Sequence, residues 1–248
     1  MSGHSKWHRI KRQKQSEDQK KGKIFSKLSR KITVAARKGS DPDKNIDLRQ
    51  AIIEAKINNM PKDNIERAIL KGTGELPGSE FHEIIYEGYG PGGVALFIDC
   101  VTDNKKRTTA DIRHILESNG GKLGSEGCVS YQFKKIGSII VTKGDVPEMA
   151  IYDASIEAGA IDIKEEEDYY ELITEPSDLH KVTEFLKEKN ITIEESELSF
   201  LPTAEKNLEG KEARRLLRLL SLLEDLDDTQ KVYSNFNIPD SIIEEMEA

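Results

Sequence analysis

The chain has 248 residues, of which 36% are hydrophobic and 33% charged. That is long enough for one to three domains with a sizeable core and too apolar for wholesale disorder. The densest apolar stretch, Leu216 to Leu226, is broken by Arg218, Ser221, Glu224 and Asp225, which excludes a membrane-spanning helix there. Met1 to Lys14 is polar and basic with no apolar h-region, so a cytoplasmic location is expected. Cys100 and Cys128 are too few for a disulfide framework or a four-cysteine metal site and are expected as reduced packing residues.

The net charge of -8 hides an asymmetry. Residues 1–74 carry 19 Lys or Arg against 8 Asp or Glu, whereas the rest carries 18 against 37. A basic segment on an acidic body is the footprint of a polyanion-binding region. It is densest in residues 1–38, where 13 bases meet only Glu17 and Asp18.

In chain order, Ser16 with Gln19 resembles a capping box and Gly39 supplies a stop, predicting a helix over 17–38. At 100 degrees per residue, Ile24, Phe25, Leu28, Ile32, Ala35 and Ala36 share one sector. Lys20, Lys23, Lys27, Arg30, Lys31, Arg37 and Lys38 share another. Asp41-Pro42 is expected to start a second helix carrying Ile46, Leu48, Ala51, Ile52 and Ala55. A third is expected from Pro61 to Gly72, completing a helical bundle.

Beyond the linker 72–78 the period changes. Strands are predicted at 81–86 and 94–101, joined by the loop 88–93, then a helix at 105–118 and a strand at 128–133. Residues 138–199 read as strand, helix, strand, strand, helix, strand, the ferredoxin-like order. A helix over 207–226 and a strand over 230–236 follow. The expected architecture is therefore multidomain, α and α+β. An N-terminal helical bundle precedes two α+β domains, the last ferredoxin-like and inserted into the middle one. The expected boundaries are 1–76, 77–134 with 205–240, 135–204, and an acidic tail at 241–248.

Gly88, Gly90 and Gly93 satisfy G-x-G-x-x-G, but a β-type run follows instead of the helix a dinucleotide site needs. No Walker-type loop occurs, and His4 and His8 lack companions for a zinc shell. Glu165, Glu166, Glu167 and Asp168 read as a solvated hairpin tip. No nucleophile arrangement can be assembled from the spacings, so neither an enzyme nor a cofactor is expected. The strongest signal is the arm. Lys6, Trp7, Arg9, Lys11, Arg12 and Lys14 join positive charge to one aromatic with no acid, suited to phosphate contacts and base stacking. The helix face of Lys20, Lys23, Lys27, Arg30 and Lys31 extends it, and Lys105, Lys106 and Arg107 form a weaker cluster at a helix start.

Gly3-His4-Ser5-Lys6-Trp7, the loop Tyr86 to Val94, the segment Thr102 to Thr108 and Val232-Tyr233-Ser234-Asn235-Phe236 together resemble the YebC/PmpR family, essentially end to end. Cys128 stands where relatives often have a small polar residue. The resemblance implies three domains, one helical and two α+β. It also implies a nucleic-acid partner, because bacterial members are described as DNA-binding transcriptional regulators and other relatives are implicated in translation at the ribosome. The expected function is thus a non-enzymatic, DNA-binding transcriptional regulator. The alternative is a ribosome-associated factor reading ribosomal or transfer RNA, and an acidic interaction scaffold is a third class. No recognition-helix or aromatic RNP signature separates DNA from RNA, and oligomeric state is not encoded in these patterns.

Overall fold

In the computed structural model, residues 17–78, 80–144, 146–166, 168–239 and 242 are described, with side chains from residue 21 onward. Three helices come first: α1 (Glu17–Ala36), α2 (Ile46–Ile57) and α3 (Lys62–Thr73). Leu28, Ile32, Ala35 and Ala36 of α1 meet Leu48, Ala51 and Ala55 of α2 and Ile65 and Ala68 of α3 in one buried cluster. α2 starts later than its Asp41-Pro42 signal suggests, because Asn45 makes the better cap. Asn45 accepts from Leu48 N at 3.1 Å and donates to the Ala35 and Gly39 carbonyls at 2.8 Å each.

Strands β1 (His82–Tyr89) and β2 (Ala95–Thr102) form the expected hairpin. α4 (Lys105–Ser118) and the short β3 (Lys122–Leu123) follow. The predicted strand at 128–133 is instead a loop ending in a 3-10 turn at Ser130–Gln132. Its backbone has another partner: the buried Glu87 carboxylate accepts from Gly127, Val129 and Ser130 N at 2.6 to 2.8 Å. Burial opposes ionisation of Glu87, yet these amides hold its carboxyl below the usual carboxylate range.

β4 (Phe133–Thr142), α5 (Glu148–Ala158), β5 (Asp162–Glu165), β6 (Tyr169–Thr174), α6 (Leu179–Glu188) and β7 (Ile193–Pro202) come next. They make an antiparallel sheet of order β5-β6-β4-β7, the ferredoxin-like arrangement. β8 (Lys206–Asn207), α7 (Gly210–Asp225), β9 (Thr229–Ser234) and β10 (Phe236–Asn237) complete the chain. α7 begins after residue 207 because β8 pairs in parallel with β10. β9 pairs with β2, giving a first sheet of order β3-β1-β2-β9.

Alternation along β2 sends its residues to two different cores. Leu96, Ile98 and Cys100 pack under Ile112 and Leu116 of α4 and Leu216, Leu217, Leu220 and Leu223 of α7. On the other face Ala95, Phe97 and Tyr233 meet Val129, Phe133 and Phe200. The Phe97 and Phe200 ring centroids are 4.6 Å apart, so this aromatic cluster joins the two sheets. The glycine loop between β1 and β2 lies beneath α7. A Cβ on Gly90 would stand 2.9 Å from Leu216 Cδ1, and Gly92, at φ +67, faces Leu208.

Asp228 ties the bundle to this layer. Its Oδ2 lies 2.7 Å from the Arg107 guanidinium and 3.0 and 2.8 Å from the Thr102 and Thr108 hydroxyls. Arg30 of α1 reaches Oδ1 at 3.3 Å. Burial works against the charge, but Arg107, Thr108 and Thr102 hold the carboxyl below its ordinary value. A second junction joins all three parts. Lys31 of α1 pairs with Glu54 of α2 at 2.5 Å, Gln50 Nε2 donates to Ser196 O of β7 at 2.9 Å, and Lys231 of β9 pairs with Glu197 of β7. Burial in this junction pushes the Asp99 carboxyl up to about 6; Lys31 opposes the shift, while Glu83 and Glu54 add to it.

Three outcomes are expected. In Gly72→Ala the new Cβ would stand 2.7 Å from Ala36 Cβ and closer to Thr33 O. Helix propensity favours Ala by about 1 kcal/mol, but overpacking costs about 1 to 3. Chemical denaturation should therefore show net destabilisation. Asp228→Ala removes one partner from each of Arg107 and Arg30, which keep Asp103 and the Asp227 carbonyl, and should cost about 2 kcal/mol, less than breaking a fully buried pair because Arg107 is also half exposed. Since the folded value of Asp228 is depressed, its contribution exists above about pH 4 and fades as pH falls through the folded value. The Asp228→Ala protein should therefore lose less stability in acid than the parent. Asp99 has the opposite sign. Between about 4 and about 6 the folded chain keeps a proton that the unfolded chain releases. Stability should fall as pH rises through this window, by about 3 kcal/mol over about two pH units. Melting curves at pH 4 and 7.5 should show the change, and Asp99→Asn should abolish it.

Candidate nucleic-acid interface

The arm residues Lys6, Trp7, Arg9, Lys11, Arg12 and Lys14 lie outside the described residues, as does the Lys20 side chain. For the rest of the basic face of α1 the structure gives positions. Lys23 Nζ donates to Asp225 O at 3.0 Å and pairs with Asp225 Oδ1 at 3.1 Å. Lys27 Nζ donates to Glu224 O at 3.2 Å. Arg30 donates to Asp227 O, reaches Asp228, and lies over the Phe81 ring at 5.6 Å. Lys31 turns to Glu54; burial lowers its pKa, but Glu54 outweighs that and leaves it raised.

One cause accounts for Lys23, Lys27 and Arg30. The last carbonyls of α7 and the loop after it lack intrahelical partners and carry the negative end of the helix dipole. α1 lays its cations across that end. The structure thus brings these three residues together, on oxygens of the chain itself.

At the start of α4, Asn104 caps the helix by accepting from Arg107 N at 3.1 Å. Arg107 is engaged by Asp103 at 3.0 Å and Asp228 at 2.7 Å, and these acids raise its pKa. Lys105 and Lys106 are exposed at the positive end of the same helix.

A further set of cations escaped the sequence reading. On α7, Lys211, Arg214, Arg215 and Arg218 are all exposed, at spacings of three, four and seven that place them on one face. They were obscured by the leucines of the opposite face, although the spacing of Lys211 to Arg218 was readable. α4 packs beside α7 on the same side of the first sheet and exposes Arg113 and His114. The Arg215 guanidinium crosses to the end of α4, where a Cβ on Gly120 would stand 2.9 Å from it. Asp111, Glu117 and Glu212 are the acids exposed on these two helices between Lys106 and Arg218. The helical layer therefore offers clustered cations to solvent, the arrangement that phosphate contacts require.

Cys100 is buried, and its thiol is pushed up to about 12 by that burial. Among the described residues no group of His, Cys, Asp or Glu could hold a metal ion, and no described helix is long and apolar enough to cross a membrane.

Comparison with known proteins bears on this layout. Residues 5–75 match the TACO1/YebC protein N-terminal domain, and residues 81–236 match the TACO1/YebC second and third domain. A protein of Desulforapulum autotrophicum is 49% identical over 247 residues, 99% of this chain and all of the relative. One of Halothermothrix orenii is 50% identical over 250 residues, 99% of each. Both carry the name probable transcriptional regulatory protein. The crystal structure of a conserved hypothetical protein from Aquifex aeolicus, 45% identical, superposes with a TM-score of 0.81 over 88% of this chain and 90% of its own. With both domain patterns matched across most of its length, the chain belongs to the TACO1/YebC family.

Proposed function

We propose that this protein is a non-enzymatic, nucleic-acid-binding regulator of gene expression that acts on duplex DNA as a transcriptional regulator. The observation that carries the reading is the separation of charge. Residues 1–16 contain five Lys or Arg and no acid, in a chain whose net charge is -8. Three cations of α1 are spent on the end of α7, so phosphate binding falls to the arm, to Lys105 and Lys106, and to the exposed row on α7. The acidic remainder repels the same polyanion, so the binding surface is confined to these places. The names of the relatives support a regulatory role.

The test is binding measured against salt. Each neutralised phosphate contributes about -0.9 to the slope of log K against log salt on duplex DNA. Replacing Lys6, Arg9, Lys11, Arg12 and Lys14 with Ala should flatten the slope by about 4.5 and weaken binding to every sequence. Replacing Lys211, Arg214, Arg215 and Arg218 should flatten it by about 3.6 if the α7 row tracks the backbone. Trp7→Ala should cost about 1 to 3 kcal/mol with no change in slope, since stacking releases no counterions. Selection from a genomic fragment library should yield sites preferred over random duplex by about 10³ or more. Equal binding to all duplexes, with co-sedimentation on ribosomes, would replace the DNA reading with the translational one. Slopes unchanged in both multiple variants would reject nucleic-acid binding through these surfaces.

A further inference from the structure

The loop between β3 and β4 is held from beneath. The Glu87 carboxylate takes three of its amides, the Glu87 carbonyl accepts from Gly124 N at 2.8 Å, and the Tyr89 hydroxyl donates to the Cys128 carbonyl at 2.9 Å. Gly124 lies so close to Cys128 Sγ that a Cβ has no room there. The closing 3-10 turn of this loop carries Tyr131, which is 74% exposed. No other aromatic residue among those described is so open to water. A large ring that gains nothing from burial in the chain, on a loop fixed by four hydrogen bonds to the strand below, is presented ready-placed for an outside partner.

The neighbours of the ring say what that partner is. Tyr89 pairs with Lys122 across β1 and β3, on the face of the sheet opposite the one where Leu123 packs against the leucine core. Lys122 is exposed, with no hydrogen bond or ion pair among the described residues. Two residues before it, the Arg215 guanidinium lies against Gly120, likewise without an acidic partner among those residues. Burial pushes the Tyr89 hydroxyl up, and Cys128 and Tyr131 lie close enough to add to it. Arg215, Lys122, Tyr89 and Tyr131 thus follow one another along β3, an edge strand of the first sheet. Two acids of this stretch, Glu117 and Glu126, are exposed, and the exposed cations Arg215, Lys122 and Lys135 outnumber them. An apolar protein surface would cover the ring but strip water from the cations without answering them. A duplex would meet the cations while keeping its base faces stacked on one another, away from the ring. A single strand brings phosphates and free base faces together.

We infer that the β3 edge binds unpaired nucleotides, with one base stacked on Tyr131 and the adjoining phosphates met by Lys122 and Arg215. Tyr89 is a positioning residue, since its hydroxyl fixes the loop that carries Tyr131. RNA and single-stranded DNA present the same chemistry. The inference rests on the nucleic-acid reading above, because Arg215 belongs to the α7 row; it adds that a strand leaving that row is held unpaired, by stacking.

The experiment is fluorescence anisotropy of the full chain with end-labelled octamers of thymidylate and of uridylate, and with a random-sequence duplex. Tyr131→Ala should weaken octamer binding about tenfold, the loss expected for one stacked base, with the salt slope unchanged. Tyr131→Phe should bind as the parent does, because the ring alone stacks. Lys122→Ala should flatten the octamer slope by about 0.7. All three changes are at exposed side chains, so the melting temperature should match the parent. Tighter binding of the uridylate octamer would assign RNA, and tighter binding of the thymidylate octamer would assign single-stranded DNA; either supports the site. Octamers that do not bind, or that bind Tyr131→Ala as tightly as the parent, would overturn it, as would equal losses in Tyr131→Phe and Tyr131→Ala. Duplex affinity and slope should be the same for Tyr131→Ala and the parent, so a failed stacking site leaves the regulatory reading standing.

Discussion

Asp228 follows α7 and reaches back to the start of α4, and its buried charge organises what surrounds it. A carboxylate withdrawn from water must be answered by donors, and here they come from distant parts of the chain: Thr102 at the end of β2, Thr108 and Arg107 on α4, and Arg30 on α1. The Asp228 carbonyl also receives Val101 N at 2.8 Å. The bond network sets the start of α4 against the end of β2, and it gives α1 a place to dock. The bundle is held to the sheet here by charge and hydrogen bonds, with the carbonyls after α7 supplying the remaining acceptors.

This arrangement changes the meaning of the basic first half of the chain. Excess positive charge near a terminus reads as a ligand-binding surface, but part of it neutralises the chain's own helix end. Lys23 and Lys27 meet carbonyls at the end of α7, where a dipole concentrates negative potential. In the proposed function phosphate contact falls instead to exposed cations, and those on α7 lie on the side of the helix facing away from the leucine core.

The second junction works by a different balance. Lys31, Glu54 and Asp99 converge with more acid than base, and Lys231 with Glu197 adds a further pair between the sheets. Burial raises the cost of an unneutralised carboxylate, so Asp99 holds its proton up to about pH 6. The aromatic cluster of Phe97, Phe133, Phe200 and Tyr233 lies beside it and supplies contact that does not depend on pH. Apolar packing joins the two sheets, and charge adjusts how the bundle meets them.

The sequence by itself determined the elements whose cause is local. The 3.6 period of Leu28, Ile32 and Ala35, the alternation of Leu96, Ile98 and Cys100, and the strand-helix order from 138 to 199 each repeat within one segment. The return of β9 to β2 followed from an unpaired helix and strand at the end of the chain. The α7 row was legible from spacing alone, but the leucines beside it drew the reading. Tertiary structure decided what depends on partners far away in sequence. Residues 128–133 have β-type side chains, yet Glu87, some forty residues earlier, takes the backbone donors that a strand would have used. The lysines of α1 look free in sequence because their acceptors are main-chain carbonyls about 200 residues away, and a carbonyl at a helix end leaves no mark in side-chain composition.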